Sequence, residues 1–467
     1  MENNNSFLDI NKKQYDFRED IIYLEKFPNG LSKEVIENIS KIKNEPEWML
    51  KIRLKAFEEF SKRPMQNWGP DLSHIDFNSV TYYISPNDKV ANNWDDVPEK
   101  VKKTFEKLGI PESERKFLAG AGAMMESTTA YHKLRDDLTA KGVIFCDTDT
   151  ALKEHPELLK KYFGTVVPMS DNKFAALNTA AWSGGSFVYV PKNVKIDLPL
   201  QAYFRINAQN VGQFERTLII VDEGAEVHYI EGCSAASYSS DSLHAAVVEV
   251  IAHKDSRVRY TTLQNWSDNV YNLVTKRAHA YENSYVEWLD ANIGSAITMK
   301  YPSVYLKGEY AKANILSVAF ANSGQIQDAG SKAIHFAPNT SSTILSKSIS
   351  KGSGKTVFRG LVQIMKGAYN SKSFMKCDAL MIDKESKSDT IPSLKINEED
   401  VQVGHEATVG KVGEDQLFYL MSRGLSENDA VSLIVGGFFK QFTKELPLEY
   451  ALEFNKLIEL EMKDSVG

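Results

Sequence analysis

The sequence predicts a mainly β fold with helical ends, its core a parallel β-helix, and three observations carry that expectation. From about residue 175, short β-branched and aromatic runs alternate with polar or glycine-containing turns, as in "ERTLIIVDEGAEVHYIEGC" and "AAVVEVIAHKDSRVRYTTLQNW". The turns recur: with Glu223, Lys254, Glu282, Gly308, Pro338 and Gly367 as anchors, the gaps are 31, 28, 26, 30 and 29 residues. No helical pattern separates the runs and no Asn-Gly hairpin turn joins them, which favours stacked rungs over the alternative, an antiparallel sandwich. Six rungs at roughly 4.8 Å each make a prism on the order of 30 Å long.

The elements follow in order. Residues 1–165 read as an N-terminal helical region. In "EPEWMLKIRLKAFEEFSKRP", Met49, Ile52, Ala56, Phe57 and Phe60 share a helical stripe, Arg53 falls elsewhere, and Pro64 stops the helix. "PESERKFL", "STTAYHKLRDDLTAKG" and "HPELLKKYFG" read as further helices, the last two ended by Gly142 and Gly164. The core spans 166–404. Residues 405–467 read as a C-terminal helical region, with Ser426 an N-cap, acidic Glu427 and Asp429 in the first turn, and Ala451, Phe454, Leu457 and Ile458 an apolar stripe. Two helices cannot bury both stripes alone, so this tail packs on the prism or on another protein.

A chain of 467 residues exceeds one compact core, and its formal net charge of −7 argues against nucleic acid as the main partner. No run approaches the roughly 18 apolar residues of a membrane span, and the start "MENNNSFLDINKKQYDFRED" has no apolar leader. Three distant cysteines, Cys146, Cys233 and Cys377, argue against a disulfide framework and for reduced thiols in a cytoplasm. "KGSGKTVFRG" tempts toward a phosphate loop, but Ile349 stands where that loop needs a glycine, and a strand pattern follows Thr356. It reads as a turn between rungs.

Counting ten residues from the anchors gives Cys233, Gln264, Asn292 and Cys377, with Val318 and Ser348 at the two remaining rungs. In a solenoid such positions form a line, which would place both thiols on it. Cys146, in "GVIFCDTDTAL", reads as a core cysteine. Cys377, His405 and Glu406 are of the types that bind iron or zinc, but their spacing matches no compact zinc pattern. A metal site and three unrelated residues both stay open on this reading.

Several longer strings are more specific. "GVIFCDTDTALKEHPELLKKYFGTVVP", "AYFRINAQNVGQFERTLIIVDEGAEVHYIEGCSA", "LQNWSDNVYNLVTKRA" and "HEATVGKVGEDQLFYLMSRGLSENDAVSLIVGGFFK" resemble the SufB family of iron–sulfur cluster scaffold subunits in the SUF machinery. The resemblance runs from about residue 80 to the C-terminus. It implies a right-handed parallel β-helix between helical ends, and a non-enzymatic scaffold in complex with the ATPase SufC and the paralogue SufD, or a second SufB copy. ATP hydrolysis would belong to SufC, docked by residues 413–440. By the same resemblance Cys233 accepts persulfide sulfur from a donor, and Arg205, Asn207, Thr262, Gln264, Trp266 and Lys276 line the sulfur route. Cys377, Glu406 and the adjacent His405 would hold a transient cluster. FAD is associated with the family, although no dinucleotide fingerprint stands here. Cys233 would need to be a thiolate, helped by Lys276 and Arg205 if both face the same interior. The competing expectation is a SufD-like structural subunit that builds no cluster; "LQNW…VTKR" and the Cys233/Cys377 pair favour the first.

Overall fold

The computed structural model describes residues 17–87 and 89–463, without the side chains at 112–115, 449 and 463. Residues 1–16, which hold most of the stretch on which the expectation of no leader rests, lie outside the described residues. The core is a β-solenoid of about eight turns, as the repeating runs predict. One sheet has ten strands, running from Thr128–Leu134 and Gly120–Met125 through Leu200–Ile206, Glu226–Ala235, Arg257–Trp266, Tyr285–Gly294, Lys312–Ala321, Ser341–Ser350 and Ser371–Met381 to Val401–Lys411. The facing twelve-stranded sheet includes Arg216–Val221, Val247–Ala252, Val270–Ala280, Ile326–His335, Lys355–Ile364 and Lys387–Ile396. Each strand returns to its own sheet one rung later, so neighbours pair parallel from Glu226–Ala235 to Val401–Lys411. Antiparallel pairs occur at the N-terminal edge, between Gly120–Met125 and Thr128–Leu134 and between Ile144–Asp147 and Ser186–Val190.

The rungs are phased by one backbone feature. Gly224, Asp255, Asn283, Tyr310, Asn339 and Asn370 all have positive φ, between 51° and 68°. Each sits two residues before an aligned strand position, at 226, 257, 285, 312, 341 and 372. Gly, Asn and Asp tolerate this left-handed conformation, and a chain that must turn once per rung uses it once per rung.

That phasing corrects the register expected from sequence. Cys233 pairs with Gln264, Gln264 with Asn292, Asn292 with Ala319, Ala319 with Ser348, and Ser348 with Ala379. Val318 and Cys377 are therefore off the line. The connection from Ile364 to Lys372 is two residues longer than that from His335 to Ser341, which moves Cys377 opposite Ser346. A two-residue offset keeps it on the same face.

Other expectations are also corrected. Within "STTAYHKLRDDLTAKG", Thr128–Leu134 is a strand and only Asp136–Ala140 is helical. Its β-branched start finds Gly120–Met125 to pair with, and tertiary pairing outweighs local helix propensity. The residue 1–165 region is thus helix mixed with strands, and the boundary drawn at 404 falls inside the strand Val401–Lys411. Arg53 is fully buried, paired with Glu45 at 2.6 Å and lying 4.6 Å over the Trp182 ring. The turn reading of "KGSGKTVFRG" matches the structure, where Lys355–Ile364 is a strand.

Helices cover the outer faces. Glu47–Lys62 and Lys173–Ala181 lie over the twelve-stranded sheet. Glu427–Glu445 starts at Ser426, whose hydroxyl accepts from Asp429 N–H at 3.2 Å. Its Val435, Phe439 and Phe442, with Phe454 and Leu457 of Leu448–Lys463, pack on Ile230, Leu263, Leu289 and Leu316 of the ten-stranded sheet. The tail therefore covers the prism.

Candidate functional site

Alternation along the strands decides what the solenoid encloses. In Glu226–Ala235 the inward positions include Tyr229, Glu231 and Cys233; the next rung places Tyr260, Thr262 and Gln264 beside them, and the third Trp288, Asp290 and Asn292. The aromatic rings stack up the axis at 5.0 and 4.9 Å between centroids. Beside them runs a polar row that the hydrophobic interior must satisfy internally.

It does so through lysines from the facing sheet. Lys276 Nζ donates to Glu231 Oε1 at 3.0 Å and to Thr262 Oγ1 at 2.7 Å. Lys300 Nζ lies 2.9 Å from Asp290 Oδ1 and donates to Gln264 Oε1, also at 2.9 Å. Asn272 donates to the same Gln264 oxygen at 2.7 Å. A lysine ammonium can only donate, so the Gln264 oxygen must face it and the amide NH₂ must face the other way. There it meets Cys233 Sγ, 4.0 Å from Nε2. Lys300 and Asn272 thus aim the Gln264 donor at the sulfur. Farther along, His244 hydrogen-bonds Asn272 at 2.8 Å and also Glu215, and its ring centroid lies 4.6 Å from that of Trp266.

Burial governs the ionisation of this cluster. It pushes the Cys233 thiol well above its ordinary range; Glu231 and Glu215 reinforce that, while Lys276 and Lys300 oppose it. Burial and the two carboxylates thus favour the neutral thiol, and the two lysines favour the thiolate that sulfur acceptance needs. Lys300 is lowered to about 8 by burial, with Asp290 opposing and Lys276 adding repulsion. Glu231, despite its burial, is held low by Lys276, by the Tyr260 hydroxyl it accepts from, and by Lys300.

The residues expected at the site divide into three groups. Cys233, Thr262, Gln264, Trp266 and Lys276 are brought together in the interior. Arg205 pairs with Ser234 across the sheet, whereas Phe204 pairs with Cys233, so Arg205 points to the opposite face from the thiol. It donates to Ser234 Oγ at 3.0 Å and to the Phe17 carbonyl at 2.7 Å. Asn207 lies nearby, its N–H bonded to Glu126 Oε1 at 2.9 Å; burial lifts that carboxyl to about 7 against the Asn207 and Tyr23 hydrogen bonds.

The third group sits near the C-terminal end of the solenoid. Cys377 faces inward, 3.7 Å from Thr390 Oγ1, and burial raises its thiol to about 11. His405 pairs with Met375 and shares the inward face of Cys377. Glu406 pairs with Lys376 and lies on the outward face, its Oε1 accepting from Lys376 Nζ at 2.9 Å. Among the described residues no three His, Cys, Asp or Glu side chains form a group able to hold a metal ion. Cys146 lies apart, on the N-terminal edge strand Ile144–Asp147.

Sequence reasoning missed Glu231, Asp290, Lys300, Asn272, His244 and Glu215. A signal existed for the first two: "YIEGC", "YTTLQ" and "WLDAN" share an aromatic, then polar residues at the second and fourth positions after it. Lys300 carried none, because it stands on a strand of the other sheet.

Comparison with known proteins adds an independent observation. Residues 204–438 match the family model described as SUF system FeS cluster assembly, SufBD core domain, and residues 34–202 match the SufBD protein N-terminal region. An iron–sulfur cluster assembly SufBD family protein of Staphylococcus aureus (strain MRSA252) is 58% identical over 459 residues, covering 98% of this chain and 99% of that protein. One from Staphylococcus saprophyticus is 57% identical with the same coverage.

Proposed function

The chain belongs to the SufBD family of iron–sulfur cluster assembly proteins, and from that premise we propose that it is the scaffold that receives sulfur and builds a nascent cluster. The observation that carries this reading is the inward-facing Cys233 beside Gln264, Lys276 and Lys300. A hydrophobic core has no need of two lysines and three carboxylates around one thiol.

The sulfur step conserves atoms and electrons. Cys233 gives up its proton, and its sulfur attacks the terminal sulfur of a donor persulfide, R–S–SH. The donor S–S bond breaks, a new S–S bond forms on Cys233, and the donor leaves as R–S⁻, which takes the proton. The Gln264 amide donates to the charged sulfur, and the two ammonium groups offset its charge in a low-dielectric interior. Iron and sulfide are the cargo. Cys377, one rung inside the C-terminal end, supplies a thiolate, and His405 on the last strand supplies an imidazole on the same face. Glu406 takes part only by releasing Lys376. So incomplete a ligand set suits a cluster that is passed on.

Two surfaces support partners. The helix Glu414–Ser422 has no buried residue, and Phe418 and Tyr419 are 74% and 56% exposed, which suits docking of the SufC ATPase. The last rung leaves inward-facing Leu394, Ile396 and Val409 exposed, which suits capping by SufD or a second copy. Three free thiols accord with work in a reducing compartment such as the cytoplasm.

Anaerobic assembly followed by visible absorption tests the reading. Cys233→Ser should lose assembly from a persulfide donor and keep assembly from free sulfide; Cys377→Ser should lose both. Cys146→Ser should lose neither. Identical behaviour of the first two variants in both assays would overturn the division of roles.

A further inference from the structure

Outside the solenoid, a cleft of about 880 Å³ lies between the end of the helix Glu47–Lys62 and the outer face of the twelve-stranded sheet. A second hollow, of about 220 Å³, adjoins it, and Trp68, Tyr301 and Lys332 line both. The strand register explains the charge here. Arg277 pairs with Ser303 and Ser303 with Lys332, so two cations stand on one outward row, separated by a single strand carrying a small hydroxyl. Arg359 follows on the next strand, in the smaller hollow.

The carboxylates present do not match these cations. Asp171 is taken by Arg277 at 2.8 Å, and Asp328 by Arg359 at 2.9 Å. Lys332 has no carboxylate within ion-pairing distance among the described residues; its ammonium lies 5.3 Å over the Tyr301 ring. Burial lowers its pKa and Arg277 lowers it further, while Asp171, already paired with Arg277, opposes both. Lys173, on the far wall, spends its ammonium on the carbonyls of Phe60 and Arg63 at 2.8 and 2.6 Å. In a chain of net charge −7, a lysine with no ion pair of its own among the described residues, held between two arginines in a concave site, calls for an anion. The wall beside it is aromatic. Trp68 is 48% exposed, and its ring centroid lies 5.8 Å from that of Tyr301.

We propose that this cleft binds a small phosphate-bearing ligand, its phosphate on Lys332 between Arg277 and Arg359 and its remainder against Trp68 and Tyr301. Phosphate fits because it takes several donors at once, from a lysine point charge and from guanidinium forks. The volume is that of a small-molecule pocket. Neither Cys233 nor Cys377 lines this cleft; Lys276 is among its lining residues, but its ammonium is spent on Glu231 and Thr262 in the interior.

The test is calorimetric titration of the full-length protein with inorganic pyrophosphate and with ADP, alongside tryptophan fluorescence. At least one probe should bind saturably and perturb the Trp68 signal. Lys332→Ala should weaken binding roughly ten-fold or more, the scale of one charge-assisted contact, with an unchanged thermal melt. Trp68→Phe should remove the fluorescence change while calorimetric binding of pyrophosphate persists. Tighter ADP binding would assign a nucleoside phosphate, and equal affinities free phosphate chemistry; both uphold the site. Binding of neither probe, or equal binding by Lys332→Ala, would overturn it.

Discussion

Lys300 shows how one buried charge organises the interior. It offsets Asp290 and fixes which end of the Gln264 amide meets Cys233. Lys300→Met keeps the volume but strands Asp290 in the core, an expected loss of about 3–5 kcal/mol in urea unfolding. Adding Asp290→Asn should recover most of that loss, yet sulfur acceptance at Cys233 should stay impaired in the double variant. Full recovery of both would reduce Lys300 to a purely structural role. Cys233 gives a pH-dependent expectation. Its folded pKa is raised, so the unfolded chain loses its thiol proton first, and stability attached to the neutral thiol falls as pH rises above roughly 8.5. Relative to Cys233→Ala, the protein should lose about 1.4 kcal/mol per pH unit above that point. A pH-independent difference between the two proteins would show that the thiol is not desolvated as described.

The turn is the element that sets the register. Five of the six rung-phasing positions hold Gly, Asp or Asn; the sixth is Tyr310, at φ 60° and 52% exposed. A bulky side chain in that conformation costs on the order of 1–2 kcal/mol. Tyr310→Asn should therefore stabilise the protein by about 0.5–1 kcal/mol, read as a higher midpoint in thermal or urea unfolding. A lower midpoint would mean that the ring contributes packing the backbone strain does not outweigh. These positions were also the signal for register that composition-based anchors missed. Gly308 and Gly367 stand two and three residues before the left-handed residue, whereas Glu223, Lys254, Glu282 and Pro338 stand one before it. Anchoring on Asp255, Asn283, Asn339 and Asn370 would have placed Ala379, rather than Cys377, on the Cys233 line.

The whole molecule is a solenoid whose two sheets are covered outside by helices and whose last rung has no successor among the described residues. Leu394 pairs with Val362 and Ile396 with Ile364, both buried core residues, yet Leu394 and Ile396 are 45% and 39% exposed. Core side chains open to water at an end suggest a partner that continues the stack. Leu394→Asp should weaken association with the paralogue, or with a second copy, in size-exclusion chromatography with light scattering, while the monomer's melting curve changes little. Unchanged association would place the interface elsewhere. Cys377 lies one rung inside this end, so under the proposed function a partner capping it would complete the ligand set.

Period, composition and alternation were local properties, and by themselves they determined the repeating β core, the cap at Ser426, and the strand after "KGSGKT" that rules out a phosphate loop. They also placed Gln264 and Cys233 side by side, because those rungs follow turns of matching phase. The path of the chain through space decided the rest. The two-residue excess in the turn before Lys372 moved Cys377 off the line, and strand parity sent Arg205 and Glu406 to faces away from the thiols. The lysines that neutralise the Cys233 environment come from the facing sheet. A one-residue shift reverses a strand's face, and a buried charge requires a partner wherever the fold supplies one, so neither outcome could be read from spacing alone.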